Sequence, residues 1–581
     1  MSLRTKLLAA TALSILPLTA FAGELAFSPI PWAADDAAKR EAVSSPSAIV
    51  DGVEVPLAFH VLARSGDKIG DGVWGALTDR TGAVVKSEDG SEAISVDTDF
   101  TSLITVGDKL YSISHFESRP GAMYLTELSQ DADGNLTAVS TKPVDFSAFG
   151  GLWVPCAGSV TPWGTHFGSE EYPADARAIE AATTLEEVDS YNYPMVRYEG
   201  LDPATMTLDA FRAAFNTYRY GYPTEVTVAA DGTATAAKRF ALGRVAVELP
   251  YVMPDEKTVY VSDDGTNVGL FKFVADKAGD LTAGSLYALK WTQTSDAGAG
   301  AADVSWIDLG HAVESDIQKA IESGVKFFDI FETADMAEDG TCPADFLASI
   351  GEDRHECLKV KPGMETVASR VETRRYASMM GATIEFRKME GITYNPDHGS
   401  IYLAMSEVAK GMEAASKNDI GGPDDIRVAK NACGAVYELK LDDSFSAISA
   451  VPVVEGIPAE YADGTPEAGN TCDLDGISNP DNVTYLPGYN TLIIGEDTGS
   501  GHQNDVIWAF NTETGTMDRI FSTPYGSETT SPYWYSDVNG HGYLMAVIQH
   551  PYGESDEDKL ADPADARAYA GYIGPFPALT K

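Results

Sequence analysis

The stretches EGITYNPDHGSIYLAMSE (residues 390–407) and DNVTYLPGYNTLIIGEDTG (residues 481–499) decide the fold, because they look like two copies of one repeat. Each begins with an acid and a Gly or Asn, and continues with a β-branched pair and a tyrosine. A turn and a second hydrophobic strand follow, and that strand ends in an acid. Related strand pairs recur along the chain, for example at 251–265 and 541–550. Many short strands at this spacing, without alternating helices, predict an all-β chain that forms a β-propeller rather than a sandwich or a doubly wound fold. We expect six blades, with seven as the alternative.

A repeat of this kind also predicts where acids gather. The innermost strand of each propeller blade runs along the central channel, so acids at the same point of successive repeats lie on a ring at one mouth of that channel. Glu390 and Asp481 are expected on this ring. The alternative is that both acids only serve turns.

Two segments interrupt the strand pattern. Residues 311–380 and, more briefly, 173–218 have helical composition and Tyr-rich loops, so we expect insertions that cover one face of a single domain spanning residues 23–581. Such insertions either shape a substrate entrance or protect exposed strand edges.

The first 22 residues, MSLRTKLLAATALSILPLTAFA, read as a cleaved signal peptide. Arg4 and Lys6 precede an apolar run that ends in small residues, and the run is too short for a membrane span. A twin-arginine pair is absent, so we expect general secretory export to the periplasm or the medium, and no membrane span.

The chain carries a formal net charge of −46 at pH 7. Nucleic acids and anionic membranes repel such a protein, so neither is expected as a partner. The charge favours divalent cations, but it also fits an ordinary solvated surface of an exported protein.

Five cysteines leave one unpaired in an oxidising compartment. We pair Cys342 with Cys357 and Cys433 with Cys472, so that Cys156 is the free thiol. Cys156 lies in WVPCAGSVTPWGTHFGSEE (153–171), close to two adjacent glutamates. A thiolate beside carboxylates suggests metal; the alternative is a buried thiol beside solvated acids.

Further acids are spread along the whole chain. In a ring of blades, acids spaced in this way can converge as oxygen ligands at one centre. Calcium takes six to eight oxygens, whereas a thiolate implies a softer ion such as iron or zinc. Some of these acids could simply end strands. The candidates are Glu117, Glu170, Glu171, Asp263, Asp264, Glu390, Asp481, Glu496, Asp497 and Glu528.

Buried carboxylates need positive charge, so the site suits an anionic substrate held between metals. Lys388 lies two residues before Glu390 and therefore shares its strand face, which makes it the best candidate to meet the anion. His550 and His115 are further polar candidates. The chain has no GxSxG elbow and no GxxxxGK loop, so we expect the nucleophile to be metal-borne oxygen rather than a side chain.

These motifs resemble those of the PhoX-type alkaline phosphatases, which are exported bacterial phosphomonoesterases. The matching segments occur in family order and cover most of the chain. The TPWGT and IQHP parts are fairly specific, whereas EGITYNP and PDNVTY also occur in other propellers, including lactonases. The segments are CAGSVTPWGTHFGSEE (156–171), SDDGTNVGLFKFVAD (262–276), GATIEFRKMEGITYNP (381–396), PDNVTYLP (480–487), GSETTSP (526–532) and IQHP (548–551).

The resemblance implies a six-bladed propeller with a mixed calcium and iron centre, an oxo bridge between metals, and hydrolysis of phosphate monoesters. It implies that Cys156 binds iron with Glu117 and Glu171 nearby. Calcium or bridging ligands would be Glu390, Asp481 and Glu528, with Asp263 and Asp264 at the same face.

Three departures from the family stand out. The chain has Lys388-Met389-Glu390 where the family usually has Arg-Pro-Glu, and lysine holds phosphate as a point charge rather than a bidentate fork. Val268 occupies a position where relatives carry an acid, which removes one ligand. The leader lacks the twin arginines that family members use, which suggests metal acquired outside the cell or a calcium-only centre.

The sequence therefore predicts an exported, metal-dependent, monomeric phosphomonoesterase that acts on a small-molecule phosphoester. Lys388 and Glu390 are the predicted catalytic residues, and Lys388 and His550 the predicted substrate-binding residues. The alternatives are a calcium-dependent lactonase-like hydrolase and a noncatalytic binding propeller.

Overall fold

The computed structural model of the protein describes residues 23–87, 90–351, 354–419 and 422–579. Strands dominate these ranges and the helices are short, so the chain predicted to be all-β is mostly β, with helices between some of its strands. The predicted signal peptide, residues 1–22, lies outside the described residues. In the part of the chain that is described, none of the helices has the length and apolar character needed to cross a membrane.

Seven short strands open the described chain. The first, third and fourth form an antiparallel sheet, and the sixth and seventh form a small hairpin. The strands are β1 (Leu25–Phe27), β2 (Val43–Ser44), β3 (Ser47–Val50), β4 (Val53–Pro56), β5 (Ala58–Arg64), β6 (Lys68–Ile69) and β7 (Gly72–Val73).

Most of the remaining chain forms four-stranded antiparallel meanders, in which each strand pairs with the next. The first meander contains β8 (Thr98–Val106), β9 (Lys109–Phe116), β10 (Ala122–Gln130) and β11 (Leu136–Pro143). The second contains β12 (Ser159–Val160), β13 (His166–Gly168), β14 (Thr224–Val228) and β15 (Ala234–Lys238), and the helices α1 (Ala176–Ala181), α2 (Pro194–Tyr198) and α3 (Leu208–Ala214) lie between β13 and β14.

The third meander contains β16 (Val247–Val252), β17 (Thr258–Asp263), β19 (Phe271–Lys277) and β20 (Asp280–Ser295), while β18 (Thr266–Val268) leaves it to pair elsewhere. The segment that follows is β21 (Ala301–Val313), α4 (Glu314–Glu322), α5 (Phe327–Ile330), β22 (Phe331–Ala334), β23 (Leu347–Gly351), β24 (Arg354–Val360), α6 (Glu365–Val371), α7 (Thr373–Met379) and β25 (Phe386–Arg387).

The fourth meander contains β26 (Met389–Asn395), β27 (Ser400–Met405), β28 (Ala435–Leu441) and β29 (Ala447–Glu455). Because β21 pairs with both β20 and β29, it joins the third and fourth meanders into one nine-stranded sheet. The fifth contains β30 (Pro480–Leu486), β31 (Thr491–Glu496), β32 (Val506–Asn511) and β33 (Met517–Ser522). The last contains β34 (Tyr533–Val538), β35 (His541–Ile548) and β36 (Tyr569–Pro577), and the N-terminal β5 supplies its fourth strand, with His60 opposite Tyr572.

The core lies between neighbouring meanders. All residues of β30 and β31 are buried, because both of their faces are covered by adjacent sheets. On one side Val483 and Leu492 pack in a cluster with Tyr402 of the preceding meander. The first strands of successive meanders also contact one another, as β16 does with β26 and β26 with β30. This arrangement places the starts of the first strands close together.

The helical segments that follow β13 and β21 pack on each other. Tyr218 from the first segment and Ile317 and Val371 from the second lie in one buried cluster, and the Tyr218 hydroxyl donates to Glu372. Both predicted disulfides are present, joining Cys342 to Cys357 and Cys433 to Cys472, and Cys156 is a free, buried thiol.

Candidate metal centre

A cavity of 580 Å³ opens where the first strands of several meanders begin. Four of its acids occupy one structural position: each is the second residue of the first strand of a meander. They are Asp99 in β8, Glu248 in β16, Glu390 in β26 and Asp481 in β30.

A β-bulge marks this position in all four meanders. The pairing with the second strand shifts there, so that two residues of the first strand oppose one of the second; for example, Met389 pairs with Met405 and Ile392 with Leu403. A bulge bends its strand and redirects side chains. The repeat therefore turns an acid into the cavity in each of these meanders.

A second set of acids comes from the ends of the second strands. Glu117, Asp264 and Asp497 directly follow β9, β17 and β31, and Glu171 follows β13 closely. The start of one strand lies beside the end of its antiparallel partner, so both sets line the same cavity.

Seven anionic side chains form what we call the anionic cluster. The ligand atoms of Asp99, Glu117 and Cys156 lie within 4.8 Å of one another, as do those of Cys156, Glu171 and Glu248, and those of Glu248, Glu390 and Asp481. Cys156 and Glu248 each belong to two of these groups and so connect the three groups into one cluster. The Cys156 thiol donates to Asp99 Oδ2 at 3.0 Å. The fold thus brings Cys156, Glu117, Glu171, Glu390 and Asp481 into one cluster, and their role as metal ligands stays a prediction.

Burial and mutual repulsion make the ionised form of this cluster unfavourable without a counter-charge. Burial, with nearby Asp99, raises the pKa of Glu117 to about 8, and burial, with nearby Asp264, raises the pKa of Glu390 to about 8. Burial and neighbouring acids also raise the pKa values of Asp481 and of the Cys156 thiol. Bound cations remove both penalties.

The donor set fits metal ions. Beside the cluster, the buried acceptors Asp264 Oδ1, Asn482 Oδ1 and Gln549 Oε1 have no hydrogen-bond partner in the described part of the chain. Oxygen atoms without donors are the ligands that hard cations prefer, and the single thiolate suits a softer ion.

Two predicted ligands do not lie in the cavity, and these assignments are corrected. Glu170 accepts from Lys238 Nζ at 2.7 Å and from the Trp153 backbone N–H at 2.9 Å, while its other oxygen accepts from the Gly221 N–H. Protein donors therefore occupy both of its oxygens. Glu170 and Lys238 are completely buried and act as a structural ion pair.

Asp263 is likewise engaged elsewhere. Its two oxygens accept from the guanidinium of Arg374, and the N–H groups of Ala246 and Gly269 complete its surroundings. Successive strand residues point to opposite faces, so of the Asp263–Asp264 pair only Asp264 lines the cavity. There it accepts a hydrogen bond from the Tyr172 hydroxyl.

Glu528 belongs to a separate group in the same cavity. His550 Nε2 lies 2.9 Å from Glu528 and 3.0 Å from Glu554, and His550 Nδ1 lies 3.3 Å from Asp97. Burial alone would lower the pKa of His550, but Glu528 and the other carboxylates outweigh it and raise the pKa well above its usual value. These carboxylates therefore favour the protonated form of His550.

Lys388, a predicted substrate-binding residue, lies at the edge of the anionic cluster. Its Nζ is 3.1 Å from Asp497 and 3.6 Å from Glu390. Although burial opposes its charge, Asp497 and Glu390 raise the pKa of Lys388, and Lys388 holds the pKa of Asp497 below its usual value. Its ammonium faces the cavity as a positive charge among acids.

The sequence analysis missed Arg119, which also lines the cavity. Its guanidinium stacks on the Tyr191 ring at 2.9 Å from the centroid, and in the described part of the chain no salt bridge engages it. A guanidinium without a carboxylate partner in an anionic cavity is suited to hold an oxyanion.

Asp99, Glu248 and Glu554 were missed as well. Asp99 and Glu248 occupy the same repeat position as Glu390 and Asp481, so aligning the first strands of all meanders, rather than of two, would have identified them. Glu554 follows His550 by four residues in a loop and carries no repeat signal.

The other sequence candidates lie away from the cavity or have structural roles. His115 is fully buried; its Nδ1 bonds the Cys156 carbonyl and its Nε2 bonds His166 Nε2 at 2.6 Å, so it supports the loop that carries Cys156. Glu496 accepts from Trp508 Nε1 at 2.6 Å and from backbone N–H groups. Val268 is fully buried in the hydrophobic core and offers no ligand.

Fold and site define a class of protein: a repetitive, mostly β chain with an anionic, thiol-containing cavity where its sheets meet. Residues 114–552 match the family model of the alkaline phosphatase PhoX, so the chain belongs to the PhoX family, which confirms the resemblance seen in the sequence.

The chain is similar to solved structures as well. Pseudomonas fluorescens PhoX in complex with vanadate, a transition state analogue, matches with 16% identity and a TM-score of 0.60, covering 95% of this chain and 98% of that chain. This likeness shows the shared fold. A Trichoderma reesei enzyme of carbohydrate-active family AA12 matches with 9% identity and a TM-score of 0.34 over 92% of this chain and 97% of that chain. The Pseudomonas aeruginosa periplasmic gluconolactonase matches with 10% identity and a TM-score of 0.27 over 81% and 97%. No curated protein sequence matches the chain.

Proposed function

We propose that this protein is an exported, metal-dependent phosphomonoesterase. The observation that carries the proposal is the anionic cluster with the cationic side chains of Arg119, Lys388 and His550 in the same cavity. Membership of the PhoX family supports the reaction class. A cavity so rich in carboxylates rejects a phosphate dianion unless cations reverse its charge.

We further propose a six-bladed propeller formed by residues 23–581, with the segments near 173–218 and 311–380 inserted over one face. Six four-stranded meanders support this count, as do the contacts between their first strands and the pairing of β5 with β36. In a propeller the last blade often needs such a closing strand because it would otherwise expose an edge.

Calcium and iron are the proposed metals. The group of Glu248, Glu390 and Asp481 offers only carboxylate oxygens, which calcium prefers. The groups that contain Cys156 add a thiolate, which favours iron. When bound, such ions neutralise charge on the phosphoryl oxygens and lower the pKa of bound water.

The chain's own residues would then bind and orient the substrate. Arg119 is positioned to hold phosphoryl oxygens through its planar fork, with Tyr191 fixing the plane of the guanidinium. Lys388, which directly precedes β26, supplies a point charge, and His550 a third positive charge. Because these charges are fixed before substrate binds, they stabilise charge that develops during hydrolysis.

Export is the remaining part of the proposal. It rests on the leader-like residues 1–22 and on the two disulfides, which are typical of proteins that fold in an oxidising compartment. We expect the mature protein to be a monomer.

The test is hydrolysis of p-nitrophenyl phosphate at alkaline pH by mature protein supplied with calcium and iron, with metal content measured on the same samples. We expect turnover that is lost on chelation and restored by adding the metals. Cys156→Ala should lower the iron content and the turnover while calcium is retained. Absence of turnover in fully metal-loaded protein would refute the phosphatase proposal, and unchanged iron in the variant would refute Cys156 as a ligand.

A further inference from the structure

A second cavity of 610 Å³, which we call the side cavity, adjoins the metal cavity. Tyr172 and Tyr191 line both cavities, so the two cavities adjoin at these residues. Ile179 and Val188 give the side cavity apolar walls. Its volume suffices for a ring system, because small-molecule sites typically occupy 300–1,000 Å³.

The two tyrosines are held in place from behind while their rings stay accessible. Tyr172 and Tyr191 are 41% and 40% exposed. Trp153, which is fully buried, donates through Nε1 to the Tyr172 carbonyl at 3.1 Å and packs edge-on against the Tyr191 ring. The Arg119 guanidinium covers Tyr191 from the metal cavity. Rigid, exposed aromatic rings of this kind are suited to stacking against a planar group.

The polar groups around the side cavity are satisfied by one another, with one exception. Asp175 is paired with Arg354 and Arg375, and Glu187 accepts from Thr183. Asn192 is 5% exposed and donates to the Asp189 carbonyl, yet its Oδ1 has no partner in the described part of the chain. An unpaired buried acceptor costs free energy unless a ligand donates to it.

We propose that the side cavity binds the alcohol part of the substrate and selects phosphate monoesters of alcohols that carry an aromatic or heteroaromatic ring. This inference rests on the proposed phosphatase function. The phosphate lies beside Arg119, the ring lies between Tyr172 and Tyr191 against Ile179 and Val188, and a donor on the ring meets Asn192 Oδ1. Substrates that extend into a second phosphate are disfavoured, because the side cavity offers no unpaired cation among the described residues.

The test compares 2-phenylethyl phosphate with ethyl phosphate, whose leaving alcohols have similar acidity, so that a rate difference reports on ring binding. We expect kcat/KM to be at least about tenfold higher for the phenylethyl ester, since binding one apolar group in a fitted pocket gives about 10–200-fold discrimination. Ala178→Trp, which fills the side cavity, should remove this preference and leave ethyl phosphate hydrolysis unchanged. Ala181→Trp, an exposed position on the same helix, is the matched control and should keep the preference.

Calorimetric titration with 2-phenylethylphosphonate and ethylphosphonate repeats the comparison without turnover. Tighter binding of the phenylethyl compound, lost in Ala178→Trp but not in Ala181→Trp, supports the side cavity even if no ester is hydrolysed, in which case only the phosphatase proposal fails. Equal binding of the two phosphonates, or a preference that survives Ala178→Trp, overturns the inference whether or not the esters are hydrolysed.

Discussion

The adjacent glutamates Glu170 and Glu171 are chemically identical, and the structure predicts opposite consequences for replacing each with glutamine. Glu170 is a structural partner of Lys238, with both side chains fully buried and 2.7 Å apart. Glu171 belongs to the anionic cluster, with no salt bridge in the described part of the chain. Sequence alone assigned both to the metal.

For Glu170→Gln we expect a loss of about 3–5 kcal/mol of stability, the range measured when one partner of a buried ion pair is removed. The amide weakens the bond to Lys238 Nζ, and the Arg219 carbonyl and the face of the Tyr220 ring compensate the remaining ammonium only in part. Metal content and kcat of the protein that remains folded should not change.

Replacing both partners should recover most of this loss. Burial raises the pKa of Glu170 and lowers that of Lys238, which reflects the cost of keeping two charges away from water. In Glu170→Gln/Lys238→Met both charges are gone, so the double variant should lose clearly less than the sum of the two single variants.

For Glu171→Gln we expect lower metal content and activity. The metal-free variant should be at least as stable as the metal-free parent, because burial and repulsion from Asp264 and Glu248 raise the pKa of Glu171 and so disfavour a charge that the amide does not carry. The assays are urea unfolding with and without chelator and elemental analysis of the folded protein. Loss of metal without loss of stability in Glu170→Gln, or a strongly destabilised metal-free Glu171→Gln, would refute the reasoning.

Two further predictions follow from the site. Arg119→Gln should lower kcat/KM by about 10²–10³-fold with unchanged metal content, as expected when one preorganised donor to a developing oxyanion is lost. Arg387 is already paired with Glu407 at 2.7 Å, so the control variant Arg387→Gln should have a much smaller effect. Equal effects of the two variants in steady-state kinetics would argue against Arg119 as the oxyanion partner. The metal-free protein should lose stability as pH rises from about 4.5 to about 8, because the folded protein raises the pKa values of Glu117 and Glu390 to about 8 and the unfolded chain releases these protons first. Thermal unfolding of chelated protein across this range tests the prediction, and a stability that rises with pH would contradict it. Added calcium should remove the loss.

Much of the architecture could be predicted from the sequence, because the sequence patterns that indicate strands and turns are local. The period-two patterns at 390–407 and 481–499 correspond to β26–β27 and β30–β31, since the alternation of side chains is a property of each strand. The disulfides were also predictable, because each joins two cysteines that are neighbours along the chain, 15 and 39 residues apart. The pairing of β5 with β36 carried no such signal, since it joins segments about 500 residues apart.

At the site, the sequence by itself determined which residue types were available: Cys156, the acids of the repeats and Lys388. It could not decide which acids face the cavity, because the direction of a side chain depends on strand register and on its partners. The bulges at the starts of β8, β16, β26 and β30 turn acids inward, whereas Lys238 and Arg374 hold Glu170 and Asp263 away. Those cations come from residues 68 and 111 positions away in the chain. Only the tertiary structure brings these cations to the acids. A buried carboxylate needs a positive charge beside it, and the fold decides whether a protein side chain supplies that charge or whether the carboxylate stays available to bind metal.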